Sequence, residues 1–525
     1  MSRTGRSTVA DGIGAVGVVG LGTMGAGIVE VFARNGLPVT ALEIDQAALD
    51  RGRATLVKST DRAVAKGRLT AEQAAEIHDR VTFTTSYEGM GGVDLVVEAA
   101  PERMAVKRAV FTELDRVCPP HAILATNTSS LSVTEIAHHT GRPERVVGMH
   151  FFNPAPVMKL VEVISTVRTD PAVAAAVTDL CGTLRKTPVT AADRPGFVAN
   201  YLLLGYLNQA AWLVQDGYVG RDDLDEAMRL GAGLPMGPLT LMDLIGIDTI
   251  VEILDVIHAY GGGSRRHACA PILRQLAAAG RLGRKTGHGF HPYPTTAPLV
   301  AEAAPAPESV AVLDDPAAAD ALSAAGVRVH RATAADDPAL STVDLVLVGH
   351  GAPAETYRTL GAVVRAGTVI AVDSSTDPVT ALATATGHPD TVAGLHLVGD
   401  LVEIARTVLT ADATVTAARG LAGALGRRAI VVAERAGLVV DALLVPYLND
   451  AVGLLAAKYA DADGIDHAMT LGCGYPEGPI ALADRLGGAT VLEIARALWA
   501  ESGEASLAPV PLLSQVVAAG VALRR

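Results

Sequence analysis

The stretch "AVGVVGLGTMGAGIVEVFARNG" (residues 15–36) decides the fold. Its first apolar residues read as a strand that runs straight into Gly20, Gly22 and Gly25, spaced G-x-G-x-x-G. A helical pattern follows, which Gly36 can end. The next strand, "LPVTALEID", closes on Glu43, 18 residues beyond Gly25. The first glycine permits a tight turn, the second lets backbone approach a pyrophosphate, and the third lets helix and strand pack closely. The helix N-terminus is thereby aimed at phosphate. A carboxylate ending the second strand accepts hydrogen bonds from ribose hydroxyls and repels a 2′-phosphate, so the loop Gly20, Leu21, Gly22, Thr23, Met24 and Gly25 with Glu43 points to NAD rather than NADP.

Outward from this loop, strand-like runs alternate with helical patterns to about residue 190, as in a parallel sheet. From "RPGFVAN" (194–200) the pattern is helical with Gly/Pro punctuation. The chain is then written a second time. Residues 125–150 align without a gap on 371–396, with 11 of 26 positions identical, and "LGAGLPMGPLTLMDLIG" (230–246) returns as "LGCGYPEGPIALADRLG" (471–487). The expected fold class is α/β plus all-α. A Rossmann-like dinucleotide-binding domain (1–190) precedes a helical domain (191–294). A linker (295–309) leads to a degenerate Rossmann-like domain without a glycine loop (310–433) and a second helical domain (434–525).

Composition narrows the class. The 525 residues are 50% hydrophobic and 19% charged, which suits several globular domains. No apolar run approaches the ~20 residues of a membrane span, and the N-terminal dozen lacks a signal-peptide core. A net charge of −13 argues against nucleic acid or an anionic membrane as partner. The four cysteines have no CxxC pairing, which argues against a zinc site or other metal and fits a reducing, cytoplasmic setting.

"VVGMHFFNPAPVMKLVEVI" (146–164) sets His150 in one strand-like run and Glu162 in the next, with a turn-rich "FFNPAP" between. A hairpin-like return would bring the carboxylate to one ring nitrogen, fix the tautomer and leave the other nitrogen to take a proton from a hydroxyl. By residue type alone, such a pair is more often structural. Residues 51–68 hold six bases and one acid. Lys58, Arg62 and Lys66 recur at i, i+4, i+8 and share a helix face, suited to the phosphates of coenzyme A or simply to water.

In order along the first copy, "GLGTMGAGI", "DLVVEAAPERMAVK", "NTSSLSVTEIA", "HFFNPAPVMKLVEV", "RPGFVAN" and "GRKTGHGF" resemble the 3-hydroxyacyl-CoA dehydrogenase family, in its fused double-length form. The resemblance implies NAD-dependent, reversible oxidation of an (S)-3-hydroxyacyl-CoA to the 3-oxoacyl-CoA, as in β-oxidation and fatty acid metabolism. Short substrates such as 3-hydroxybutyryl-CoA or 3-hydroxyadipyl-CoA are expected. It makes His150 the base, Glu162 its orienting partner, and Ser129 and Asn200 donors to the reacting oxygens. It assigns Glu102, Lys107, Asn127, Asn153 and Lys285 to the cofactor, and Ser59, Lys66 and Ser129 to the acyl-CoA. By residue type, Ser129 could equally be a turn residue and Asn200 a helix-start residue. Tyr201 stands where members commonly carry Arg. An NAD enzyme for a free hydroxy acid and a catalytically silent NAD/acyl-CoA scaffold are the rival readings. Helical domains of this family usually dimerise, so an internal pseudo-dimer is expected, with a further homodimer possible.

The second copy of the His–Glu run is "GLHLVGDLVEI" (394–404), where His396 and Glu403 match His150 and Glu162, and Ser375 and Asp441 match Ser129 and Asn200. Its opening strand meets Asp314, Asp315 and Pro316 instead of glycines, so one NAD per chain is expected.

Overall fold

The computed structural model describes residues 12–294 and 304–524. The N-terminal segment read as lacking a leader (1–11) and residues 295–303 of the expected linker lie outside the described residues. Among the described residues no helix is long and apolar enough to cross a membrane.

The first sheet has eight strands: β1 (Val16–Val19), β2 (Val39–Leu42), β3 (Val81–Thr84), β4 (Leu95–Glu98), β5 (Ile123–Thr126), β6 (Val146–Phe151), β7 (Leu160–Ser165) and β8 (Thr187–Ala192). Their order is β3-β2-β1-β4-β5-β6-β7-β8, parallel except for the β6–β7 pair. Strands such as β1 and β4 are buried on both faces, which is why they read as unbroken apolar runs rather than alternations. Helix α1 (Thr23–Arg34) leaves the glycine loop and buries Ile28, Val29, Val31 and Phe32 against the sheet. Helix α2 (Gln46–Ala65) carries the basic run, and the Asp45 carboxylate caps its first turn at Ala48 N.

The second sheet has seven strands: β9 (Ser309–Leu313), β10 (Arg328–Ala332), β11 (Leu345–Val348), β12 (Val369–Asp373), β13 (Val392–Val398), β14 (Leu401–Arg406) and β15 (Arg428–Ala433), in the order β10-β9-β11-β12-β13-β14-β15. It repeats the first sheet without a counterpart of β3. Only residues 333–344 separate β10 from β11, where the first copy has α2, a further helix and β3. The second copy has therefore lost the basic helix together with its glycine loop.

After each sheet the chain turns helical, at Ala199–Gln215 and again at Val440–Ala456. In each helical region a buried aspartate ties a later helix to an earlier one. Asp225 accepts from Leu239 N and Thr240 N, and Asp466 accepts from Ile480 N and Ala481 N. The two compact units do not follow the two copies, however. One comprises residues 1–203, 259–262 and 454–481; the other comprises 204–258, 263–453 and 482–525.

Candidate functional site

The glycine loop has the geometry its spacing requires. Gly20 has φ +87°, and a Cβ there would lie 2.8 Å from the Ala99 carbonyl oxygen. A Cβ on Gly25 would overlap the carbonyl oxygen of Gly20, whereas one on Gly22 would meet no protein atom within 4 Å. Gly22 is thus free of steric demand from the fold, which is what a position reserved for a pyrophosphate looks like. The adjoining cleft, about 600 Å³, is lined by Gly20, Gly22, Glu43, Ile44, Arg51 and Pro101 among others. Glu43 accepts from Leu21 N at 2.6 Å and from Ile44 N at 2.9 Å, so the ribose-directed acid also fixes the loop. These residues fit NAD: Glu43 would take the ribose hydroxyls and the N-terminus of α1 the pyrophosphate.

His150 and Glu162 stand directly opposite in the antiparallel β6–β7 register. His150 Nδ1 donates to Glu162 Oε2 at 2.7 Å, and Glu162, with no exposed surface, also accepts from Val198 N and Ala199 N at the start of the Ala199–Gln215 helix. That carboxylate is fully engaged, so the imidazole is held in one tautomer, and its other nitrogen has no hydrogen-bond partner among the described residues. Phe152 and Phe197 flank the ring, with centroids at 4.7 and 5.8 Å.

The other expected residues fall into three groups. Asn127, Ser129 and Asn200 belong to the same compact unit as His150. Asn127 Oδ1 accepts from Phe151 N at 2.8 Å, beside His150. Glu102 gathers the following loop, accepting from Thr128 Oγ1 at 2.6 Å and Ser129 N at 3.0 Å. Burial opposes ionisation of Glu102, but the Lys107 ammonium and these donors hold its carboxyl below the usual range. Lys107 is 1% exposed and spends its ammonium on Glu98 and Glu102, so it supports Glu102 rather than presenting itself to a nucleotide. The Asn200 amide makes no hydrogen bond among the described residues and remains available. Asn153 is exposed in the β6–β7 turn.

Ser59 and Lys285 behave differently from a simple ligand contact. Ser59 Oγ donates inward to Glu30 at 2.5 Å, which leaves only its lone pairs for a ligand. Lys58, Arg62 and Lys66 are exposed and carry no ion pair among the described residues, so the stripe is an uncompensated positive face. Lys285 lies in the other compact unit, where it pairs with Asp248.

Sequence reading missed Lys186. Its ammonium is buried and donates to the carbonyls of Ala155 and Met158, both at 2.6 Å, so it pins the turn between the His150 and Glu162 strands. Burial, aided by Arg34, lowers it to about 8. Its place in sequence, just before β8, gives no hint of this contact.

The second copy repeats the dyad and loses its surroundings. His396 Nδ1 donates to Glu403 at 2.8 Å, and Glu403 accepts from Val439 N and Val440 N. Ser375 Oγ, however, donates to Asp441 at 2.6 Å, so the two groups matching Ser129 and Asn200 satisfy each other. Asp315 accepts from Ala318 N as N-cap of the Pro316–Ala324 helix, filling with its own carboxylate the place a pyrophosphate would take. Asp373, which replaces Asn127, is raised to about 7 by burial and by Asp315.

Burial works against charging His396, but Glu403, Asp441 and Asp373 outweigh it and hold it at about 9. Its folded value exceeds the unfolded ~6.5, so the stabilisation is complete below pH 6.5 and lost as pH rises through about 9. His396→Gln is accordingly expected to cost on the order of 3 kcal/mol at pH 6. Thermal melts should show that gap closing above pH 9; a gap independent of pH would contradict the charge assignment.

The fold and site together define a dinucleotide-dependent dehydrogenase. Family models for the "3-hydroxyacyl-CoA dehydrogenase, NAD binding domain" match residues 15–194 and 352–435, and those for its C-terminal domain match 196–293 and 437–525. The second NAD-domain match begins only after the altered opening strands. A 3-hydroxyadipyl-CoA dehydrogenase of Escherichia coli (strain K12) is 32% identical over 95% of this chain and 96% of its own. A 3-hydroxybutyryl-CoA dehydrogenase of Clostridioides difficile is 45% identical over 53% of this chain and 98% of its own. The crystal structure of 3-hydroxybutyryl-CoA dehydrogenase from Escherichia coli K12 superposes with TM-score 0.81 at 31% identity, covering 97% of this chain and 99% of that one. The chain belongs to the 3-hydroxyacyl-CoA dehydrogenase family. It is an NAD-dependent oxidoreductase.

Proposed function

We propose that the first copy alone catalyses the reaction, on a short-chain (S)-3-hydroxyacyl-CoA such as the 3-hydroxybutyryl or 3-hydroxyadipyl thioester. The hydrogen-bonded, buried His150–Glu162 pair carries this reading. NAD, when bound, accepts the hydride from C3. As the hydride leaves, His150 takes the hydroxyl proton at its second nitrogen, and Glu162 stabilises the imidazolium that forms. Ser129 and Asn200 hold the hydroxyl and thioester oxygens, and the positive face of α2 attracts the CoA phosphates. The self-satisfied Ser375–Asp441 pair and the Asp315 cap support a silent second copy.

In one compact unit the repeat-equivalent Tyr206 and Tyr447 meet with ring centroids 6.2 Å apart, and the buried Arg266 pairs with Asp450 at 2.8 Å. These contacts support an internal pseudo-dimer of the helical regions. Cross-linking in which those regions never meet would overturn it. For the activity itself, acetoacetyl-CoA and longer 3-oxoacyl-CoAs should be reduced with NADH, free 3-oxo acids should not, and calorimetry should count one NAD per chain. Two NAD per chain, or preference for a free acid, would refute the reading.

A further inference from the structure

A buried ion cluster joins β4 to β5 in the first sheet. Glu98, the last residue of β4, has no exposed surface and stands opposite Thr126 in the parallel register. Its carboxylate accepts from Lys107 Nζ at 2.9 and 3.0 Å, from Thr126 Oγ1 at 2.6 Å and from Ala100 N at 2.7 Å. Lys107, on the Met104–Val117 helix, reaches on to Glu102 at 3.2 Å. Two routes then lead from Glu98 to the turn after β5. The Thr126 hydroxyl accepts from Thr128 N at 3.3 Å, and Glu102 accepts from Thr128 Oγ1 and Ser129 N. Within that turn Thr128 and Ser130 are buried, whereas Asn127 and Ser129 keep accessible surface. Asn127 Oδ1 also accepts from Phe151 N, so the turn is registered on the strand of His150.

The second copy supplies an internal control. Its strands pair in the same register, with Val348 opposite Val372 where Glu98 stands opposite Thr126. Tyr357 is the fourth residue of the Ala354–Val363 helix, as Lys107 is of its own, and Ala352 stands where Glu102 does. Val348, Val372 and Tyr357 lie in one apolar cluster, and the buried Tyr357 hydroxyl has no hydrogen-bond partner among the described residues. The turn after β12 is held by its own Ser374, whose Oγ accepts from Thr376 N and Asp377 N, both at 3.0 Å, while Ser375 turns to Asp441. A buried ion cluster is weak support for a fold, because apolar residues of similar volume replace it at little or no loss. Here that replacement exists within the same chain.

We propose that Glu98 is a positioning residue for the reaction: through Thr126 and Lys107 it sets the turn that carries Asn127 and Ser129, and the charged cluster serves catalysis rather than the stability of the sheet. This rests on the 3-hydroxyacyl-CoA reading, in which those two side chains meet cofactor and substrate. The sheet asks for nothing polar at this point, as β11 and β12 show. A turn that holds a donor against a reacting oxygen tolerates little freedom, since a misplacement of about 1 Å costs about 10²-fold in rate.

The test transplants the second copy's residues into the first. Full-length Glu98→Val/Lys107→Tyr/Thr126→Val keeps Glu102, the acid that bonds the turn directly. It should melt with the wild type while kcat for acetoacetyl-CoA reduction falls about 10²-fold. Thr126→Val alone should lower kcat by about tenfold at an unchanged melting temperature, and Thr126→Ser, which keeps the hydroxyl, should match the wild type. A triple variant that folds and retains wild-type kcat overturns the proposal. Should the triple variant melt lower or fail to fold, the Thr126 pair decides. Equal kcat in the Val and Ser variants, or a loss that follows melting temperature, refutes the proposal; a loss confined to Val at constant melting temperature supports it. A wild-type protein that reduces no acyl-CoA refutes the underlying reading instead.

Discussion

His150→Gln is expected to lower kcat for acetoacetyl-CoA reduction by about 10²–10⁴-fold, the range for loss of a positioned acid–base group. NADH binding should be unchanged, because the ring's contacts are Glu162, Phe152 and Phe197 rather than the glycine loop. Glu162→Gln separates orientation from chemistry. The amide can still accept from Val198 N and Ala199 N, so the fold should survive, but it no longer compels His150 to donate from Nδ1 or stabilises an imidazolium. Its kcat should fall nearly as far as that of His150→Gln, and the double variant should be little worse than either. Additive losses would show that the two residues do not act as one device. The same substitutions at His396 and Glu403 should leave kcat untouched.

Gly25→Ala should abolish measurable NAD binding. The new Cβ would overlap Gly20 O, and Gly20 cannot yield because it is itself close against the Ala99 backbone. Either α1 moves off the sheet or the loop reshapes, and overpacking of this kind costs about 1–3 kcal/mol of stability. Gly22→Ala is the informative contrast. No protein atom lies within 4 Å of its Cβ, so the melting temperature should match wild type while NAD affinity falls at least about tenfold. Fluorescence titration with NADH beside thermal melts reads both. A Gly22→Ala protein that binds NADH normally would remove the pyrophosphate from that position.

The parts of this molecule legible in sequence were those in which local spacing carries the geometry. The G-x-G-x-x-G turn, the terminal carboxylate of β2 and the twelve-residue return from His150 to Glu162 each encode their own contact. Ser59 shows where spacing misleads. Lys58, Arg62 and Lys66 do share an outer face, but Ser59 lies one residue, about 100°, around the helix from Lys58, and its hydroxyl turns in to Glu30. Lys186 and Glu102 act through long-range backbone contacts, which no periodicity records. Aligning the copies revealed that the helical region is repeated. It could not reveal that Gly472 belongs beside Phe152 and Gly231 beside Leu401, because an internal repeat states equivalence and not which copy each segment covers.

That crossing has a consequence for how duplication can be exploited. Where repeats fold separately, a redundant copy can drift, be deleted or be given a new activity. Here the second copy's Tyr459 and Gly472 lie in the compact unit that holds His150, Tyr459 accepting from Ala192 N and Gly472 placed where a Cβ would meet Leu160 and Phe152, so this stretch is tied to the first copy's sheet. A designer who wished to excise the second copy would have to graft that short stretch back, because its partners Ala192, Leu160 and Phe152 belong to the first.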